Sequence, residues 1–148
     1  MKSILFIITY CFVTVNVFSQ SLEGVWKGSF TAYLPMTKTV NNYYENNLKI
    51  EFLLNKDSTY SIYSYAGEPY TRGGFTDYVC DMSYLMIDEN NIFLKEIGIV
   101  KTPNKITCLK SMNLKISQRK KNITMEGVWQ TDSNDCDNRG EIRLSRKL

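Results

Sequence analysis

Three cysteines beyond the apolar N-terminal segment, Cys80, Cys108 and Cys136, are the residues of this 148-residue chain best suited to covalent chemistry. Because their number is odd, at most one intramolecular disulfide can form among them, and their spacing does not choose among the three pairings. Cys80 lies beside Val79 and Met82, which predicts a buried thiol that behaves as a small hydrophobic side chain. A nucleophilic cysteine would need a base, and the chain has no histidine to supply one.

The absence of histidine also excludes Ser-His-Asp and Cys-His catalysis and histidine-bound zinc. The loop over residues 132–138 is rich in oxygen ligands, but its spacing does not match a calcium-binding EF-hand loop. A net charge of +3, without interleaved basic and aromatic residues, does not predict nucleic-acid binding. Hydrolytic catalysis by a pair of carboxylates is the remaining enzymatic possibility, but the sequence gives no reason to pair any two of the candidates. These candidates lie on or beside predicted strands: Glu23, Glu51, Asp77, Asp81 and Glu126. We therefore expect a non-enzymatic protein without a cofactor or a metal ion.

Tyrosine is the residue type in clearest surplus, with ten in the chain and many of them in its central third. Tyrosine combines an apolar ring with a hydroxyl group, which suits recognition of a small ligand or of a protein. High strand propensity explains the same residues without any binding role. The ligand-contacting tyrosines predicted here are Tyr63, Tyr65 and Tyr70.

The first nineteen residues have the pattern of a secretory signal peptide. Lys2 precedes an apolar run over residues 4–15, and Val17 and Ser19 occupy the −3 and −1 positions before Gln20. A membrane anchor is the alternative, but this run is shorter than the roughly 20 residues that span a bilayer. The prediction is an exported protein, periplasmic or extracellular, with no membrane span and a single domain over residues 20–148.

After Gln20 the apolar residues alternate with polar ones, a period of two that is typical of strands with one buried face. Turn residues over 55–58, 88–91 and 118–122 separate these segments. The pattern predicts eight or nine antiparallel strands and no helix. We expect an all-β up-and-down barrel of about eight strands, with a two-sheet sandwich as the alternative. On the segment over 59–66, bulky residues fall on both faces, so periodicity does not say which face is inward.

Two stretches resemble known proteins. Gly24-Val25-Trp26 is similar to the Gly-x-Trp first strand of lipocalin-like barrels. The last forty residues look like a group of small exported Bacteroidota proteins without an assigned function, through Thr107-Cys108-Leu109-Lys110, Glu126-Gly127-Val128-Trp129, Asp135-Cys136 and the segment over 140–147. This resemblance implies a lipocalin-like fold, secretion and a disulfide between Cys108 and Cys136. It also implies a basic residue of the last strand packed over Trp26, with Arg143 as the candidate and Arg146 comparably placed.

The function expected from these features is that of an exported binding protein that holds a small apolar or amphipathic molecule in its barrel. The alternative is a protein–protein interaction module, of an inhibitor or immunity type, whose barrel is filled by its own side chains. An eight-stranded barrel is compatible with both, because it can be just filled or can hold one small ligand.

Overall fold

The computed structural model describes residues 21–33, 43–67, 78–102, 108–132 and 139–148. Eight strands make up almost all of these residues, and each pairs in antiparallel fashion with its neighbours in sequence. Their bounds are β1 Gly24–Tyr33, β2 Tyr43–Leu54, β3 Tyr60–Gly67, β4 Tyr78–Met86, β5 Asn91–Lys101, β6 Lys110–Arg119, β7 Asn122–Thr131 and β8 Arg139–Lys147. None of the described residues forms a helix long and apolar enough to cross a membrane.

The sheet closes into a barrel because β8 pairs with β1, from Lys27 opposite Ser145 to Tyr33 opposite Arg139. Closure removes the exposed edges that a meander of this length would otherwise present. The predicted up-and-down barrel is therefore confirmed, and the sandwich alternative is not the fold.

Short turns connect β2 to β3, β4 to β5 and β6 to β7, and all three lie at one end of the barrel, which we call the turn end. Asp57 accepts hydrogen bonds from the backbone and hydroxyl of Thr59 at 3.1 and 2.7 Å in the first turn. Asp88 accepts from the backbone N–H groups of Asn90 and Asn91 in the second. The other strand ends form the opposite end of the barrel, which we call the loop end. Residues 34–42, 68–77, 103–107 and 133–138 lie outside the described residues.

Alternate residues of every strand point into the barrel and form one continuous apolar core. Its largest members are Trp26, Phe30, Phe52 and Trp129, all at most 5% exposed. The Phe30 and Trp129 rings meet edge to face with their centroids 5.3 Å apart, and the Trp129 indole donates a 2.8 Å hydrogen bond to the Thr31 carbonyl. Rings of this size fill the inside of a narrow barrel, which matches the apolar faces read from the sequence.

Glycine is required where the backbones of neighbouring strands approach most closely. A Cβ atom on Gly127 would overlap the carbonyl oxygen of Asn113 on β6, and one on Gly28 would overlap the carbonyl oxygen of Arg143 on β8. The two strand pairs come this close because a small closed barrel must coil strongly. Gly98 differs, since a Cβ there would lie in ordinary contact, 3.7 Å from an Asp81 carboxylate oxygen.

We predict that Gly127→Ala lowers the free energy of unfolding by about 3 kcal/mol or more, because the added methyl group can only be accommodated by moving backbone. Gly98→Ala, the matched control on β5, should change it by less than about 1 kcal/mol. Urea unfolding followed by tryptophan fluorescence measures both variants. Equal stabilities for the two would contradict the close approach of β6 and β7.

Candidate functional site

Tyr63 and Tyr65 lie on the outer face of β3, which corrects their predicted placement in the barrel lining. The residues of β3 that point inward are Ile62, Ser64 and Ala66, all buried. Tyr70, the third predicted tyrosine, lies outside the described residues.

The outer face around these two tyrosines is an organised polar and aromatic surface. Tyr65 stands opposite Lys49 of β2 in the strand register, and Tyr63 stands opposite Glu51. The Lys49 ammonium lies 3.6 Å from the centroid of the Tyr65 ring, and the Tyr65 hydroxyl donates a 3.1 Å hydrogen bond to Glu51. Partial burial, followed by the Glu51 hydrogen bond, raises the pKa of Tyr65 above its usual value, so its hydroxyl stays protonated and remains a donor.

Apolar side chains continue this surface across β4 and β5. Val79 stands opposite Tyr65 and Asp81 opposite Tyr63. A shift in the β4–β5 register then makes Ile97 the extra residue of a bulge, and Ile97 is 58% exposed. We call the surface formed by Tyr63, Tyr65, Val79, Asp81 and Ile97 the tyrosine face.

A buried polar cluster lies inside the barrel toward the loop end. Glu96 is only 1% exposed; it accepts a 2.7 Å hydrogen bond from Ser64 Oγ, and bonds from the backbone and ammonium nitrogens of Lys110 at 2.9 and 3.3 Å. The Lys110 ammonium also lies 5.6 Å from the centroid of the Phe30 ring. The cluster occupies the point where the β5–β6 ladder stops at Lys95 opposite Ser111, so the Glu96 side chain takes over one backbone N–H group of β6.

Cys80 faces the same cluster and is a free, buried thiol, as its apolar neighbours in sequence predicted. Burial, followed by the negative charge of Glu96, raises the pKa of Cys80 to about 11. A thiol protonated at neutral pH is a weak nucleophile, so this residue is not poised for catalysis. Cys108 is half-buried just before β6, and Cys136 lies outside the described residues, so their disulfide stays a prediction.

The turn end is closed by Arg146, not by Arg143. The Arg146 guanidinium lies 4.9 Å from the Trp26 ring and donates hydrogen bonds to the carbonyl groups of Ser21 and Glu23. Arg143 occupies an outward position of β8, where it pairs with Glu126 at 3.2 Å in solvent. Strand alternation explains the difference, because the inward residues of β8 include Ile142 and Leu144 and the next in phase is Arg146.

A further concavity of about 620 Å³ lies on the outside of the barrel, on the wall opposite the tyrosine face. Its lining is mixed, with polar side chains such as Ser29 and Lys115 beside apolar ones such as Val128. Asp132, at the start of the acidic loop, is held by Lys95 at 2.8 Å and by the Ser111 hydroxyl, and these bonds lower the pKa of its carboxyl group. Among the described residues, no three Cys, Asp or Glu side chains gather into a metal-binding group.

The fold defines a small, closed, eight-stranded β-barrel protein. No protein-family model matches the sequence, and it has no match among the curated proteins or the solved structures.

Sequence reasoning missed the buried Glu96 cluster. The signal was present, because Glu96 interrupts the apolar alternation of Ile92 and Leu94 at an inward position. A carboxylate at such a position needs partners, and the nearest strand ends supply a serine and a lysine.

We predict that the Cys80 thiol reacts with a maleimide at neutral pH only after denaturation. The unfolded thiol loses its proton near pH 9 and the folded one near pH 11, so the folded protein binds more protons in this window. Stability should therefore fall as pH rises from 9 to 11, by on the order of 2 kcal/mol relative to a Cys80→Ala variant. Rapid labelling of the native protein, or the same alkaline decline in both proteins, would contradict this burial. In denaturant, a count of one reactive thiol in the mature chain would support the predicted disulfide.

Arg146 and Arg143 lie on the same strand, so they provide a matched pair. Arg146→Gln should lower the free energy of unfolding by about 2–3 kcal/mol, because it removes two hydrogen bonds and a cation–aromatic contact. Arg143→Gln removes only an exposed ion pair and should cost less than about 1 kcal/mol. Thermal unfolding measured by circular dichroism compares the two; a larger loss for Arg143→Gln would overturn the assignment of the Trp26 partner.

Proposed function

We propose that this protein is an exported, non-enzymatic protein–protein interaction module that binds its partner through the tyrosine face. The observation that carries the proposal is the orientation of β3, which places Tyr63 and Tyr65 on the outside while the described interior is packed with large apolar side chains. The export part of the proposal rests on the predicted leader, and the non-enzymatic part rests on a sequence without histidine and on the raised pKa of the Cys80 thiol.

The packed interior supports a binding role for the surface over one for the barrel lumen. Bulky residues from most strands belong to one core cluster, among them Trp26, Phe52, Met125 and Trp129, and each is almost fully buried. A barrel of eight strands has little room beyond its own side chains. A bound molecule of ordinary size would have to displace such side chains and lose their packing energy.

The composition of the tyrosine face matches that of the energetically important part of a protein interface. Tyrosine is enriched in such regions because it buries a large, rigid ring and keeps a hydroxyl for hydrogen bonding. Here Lys49 and Glu51 fix the Tyr65 ring and hydroxyl in place, so little side-chain entropy remains to be lost on binding. Exposed Ile97 adds an apolar contact beside the rings.

A small amphipathic ligand at the loop end is the second candidate function, and the Glu96 cluster is the observation that favours it. Lys110 and Glu96 place two opposite charges beneath this end of the barrel. Ile99, which stands opposite Cys80 in the register, is 45% exposed there. A molecule with a charged head group and a short apolar part would find both contacts at that mouth.

The test uses a photo-crosslinking phenylalanine analogue at position 63, expressed in the source organism. We expect a specific crosslink to one protein, and none from the same analogue at Val128, an exposed apolar position outside the tyrosine face. With that partner purified, Tyr63→Ala should weaken the affinity by about tenfold or more, as is usual for a tyrosine that dominates an interface. Ser29→Ala, in the concavity on the opposite wall, should leave the affinity unchanged.

Native mass spectrometry of the mature protein separates the two candidate functions. A bare protein mass, together with the position-63 crosslink, is the result that the interaction module requires. A small molecule that leaves on denaturation, is lost in Lys110→Gln and is kept in Tyr63→Ala would replace the proposal by the second candidate. Equal crosslinking from positions 63 and 128 would contradict the tyrosine face as the binding surface.

A further inference from the structure

Exposed large apolar side chains are concentrated at the turn end of the barrel. Leu85 and Ile87 at the end of β4 are 62% and 59% exposed. The other members of this group are exposed to a lesser degree: Leu53, Leu54, Tyr84 and Met86. A soluble protein rarely gathers so many exposed apolar side chains in one place without a contact for them.

These residues form one continuous rim because the two hairpins that carry them touch. Leu54 stands opposite Tyr60 in the β2–β3 register. The Tyr60 ring packs edge to face on Phe52 and on Tyr84, with centroid distances of 5.9 Å in both cases. Phe52 and Tyr60 thus pack directly beneath the rim and connect it to the core.

The next hairpin at the same end is strongly basic. Arg119, Lys120 and Lys121 are consecutive, exposed, and have no acidic residue among them. The backbone N–H of Ile116 on β6 donates a 2.6 Å hydrogen bond to the Asn90 carbonyl in the β4–β5 turn, so this hairpin borders the apolar rim directly. The N–H of Leu148 bonds to the Lys121 carbonyl at 2.9 Å, which brings the preceding Lys147 to the same edge.

We propose that the turn end docks on a membrane surface that contains anionic phospholipid. Side chains such as Leu85, Met86 and Ile87 enter the boundary between head groups and acyl chains, and the basic hairpin binds lipid phosphate groups beside them. Asp57 and Asp88 stay charged in their turns, because hydrogen bonds lower the pKa of both. Lys56 offsets Asp57 in the β2–β3 turn, whereas Asp88 and Glu89 leave the β4–β5 turn negative. The net positive charge of the turn end therefore lies on the β6–β7 side, which is the side that faces the lipid phosphates.

An anionic bilayer suits this surface better than a protein partner does. The exposed apolar groups lie on the strand ends beside the turns of two neighbouring hairpins, so several of them can enter a flat interface together. A tip of three adjacent cations without a carboxylate matches the dense phosphate of a bilayer. The tyrosine face, on the side wall, remains accessible when the turn end is docked, so this proposal does not rest on the proposed function.

The test is co-sedimentation of the mature protein with vesicles of phosphatidylcholine alone and of phosphatidylcholine mixed with phosphatidylglycerol. We expect binding to the mixed vesicles that weakens with added salt, and little binding to the neutral ones. Lys120→Gln with Lys121→Gln should lower the partition coefficient by about thirtyfold. Leu85→Asn with Ile87→Asn should lower it by at least about tenfold, through lost apolar insertion.

Matched control variants test whether the loss of binding depends on where the charge or the apolar side chain is removed. Lys101→Gln with Arg139→Gln removes two exposed cations at the loop end, and Val128→Asn removes an exposed apolar side chain from the side wall. Both should bind the mixed vesicles as the unchanged protein does, and so should Tyr63→Ala. All substituted side chains except that of Tyr63 are exposed, and circular dichroism verifies that each variant folds.

Three results would overturn the proposal. The first is a lack of binding to the mixed vesicles at low ionic strength. The second is an equal loss of binding in the control variants and in the turn-end variants. The third is a dimer in solution, dispersed by Leu85→Asn with Ile87→Asn, in a protein that does not bind the vesicles; the rim would then be a contact between copies of this chain.

Discussion

The pairing of β8 with β1 is the constraint on which the rest of the structure depends. It turns an eight-stranded meander into a closed wall, and only a closed wall buries both the apolar faces and the strand edges. Closure at this strand number forces tight coiling, which Gly28 and Gly127 permit through close backbone approach. The interior of this closed wall holds Trp26, Phe30 and Trp129, all almost fully buried.

Closing the wall leaves two open ends, and a cation over an aromatic ring covers the core at each. Arg146 lies over Trp26 at the turn end, where it also binds the chain as it enters β1. Lys110 lies near Phe30 at the loop end, and Glu96 balances its charge. The loop end carries the larger desolvation cost, because Glu96 is fully buried and its charge must be compensated by every one of its partners.

Strand alternation was predictable from the sequence wherever one face was clearly apolar, as in β2 with Leu48, Ile50 and Phe52. It failed on β3, where both faces carry bulky residues and only packing against the opposite wall decides the orientation. The prediction of Arg143 as the partner of Trp26 was wrong for a related reason. A guanidinium group is equally at home in solvent on the outer face of a strand and over an indole ring, so residue type alone did not separate Arg143 from Arg146. Glu96 stands out in the sequence as a charged residue at an inward position, but its partners do not, because they come from β3 and from the start of β6.

The described strands carry a packed apolar core on one face and a varied outer surface on the other, and that outer surface differs between the side wall and the turn end. The side wall presents Tyr63 and Tyr65, oriented by Lys49 and Glu51. The turn end presents apolar side chains on strand ends and basic side chains at the β6–β7 turn. Most of the residues that form these two surfaces are not part of the core, because alternate residues of each strand point away from the barrel interior. The same core can therefore support changes on either surface, provided that they leave the inward positions and the wall glycines intact.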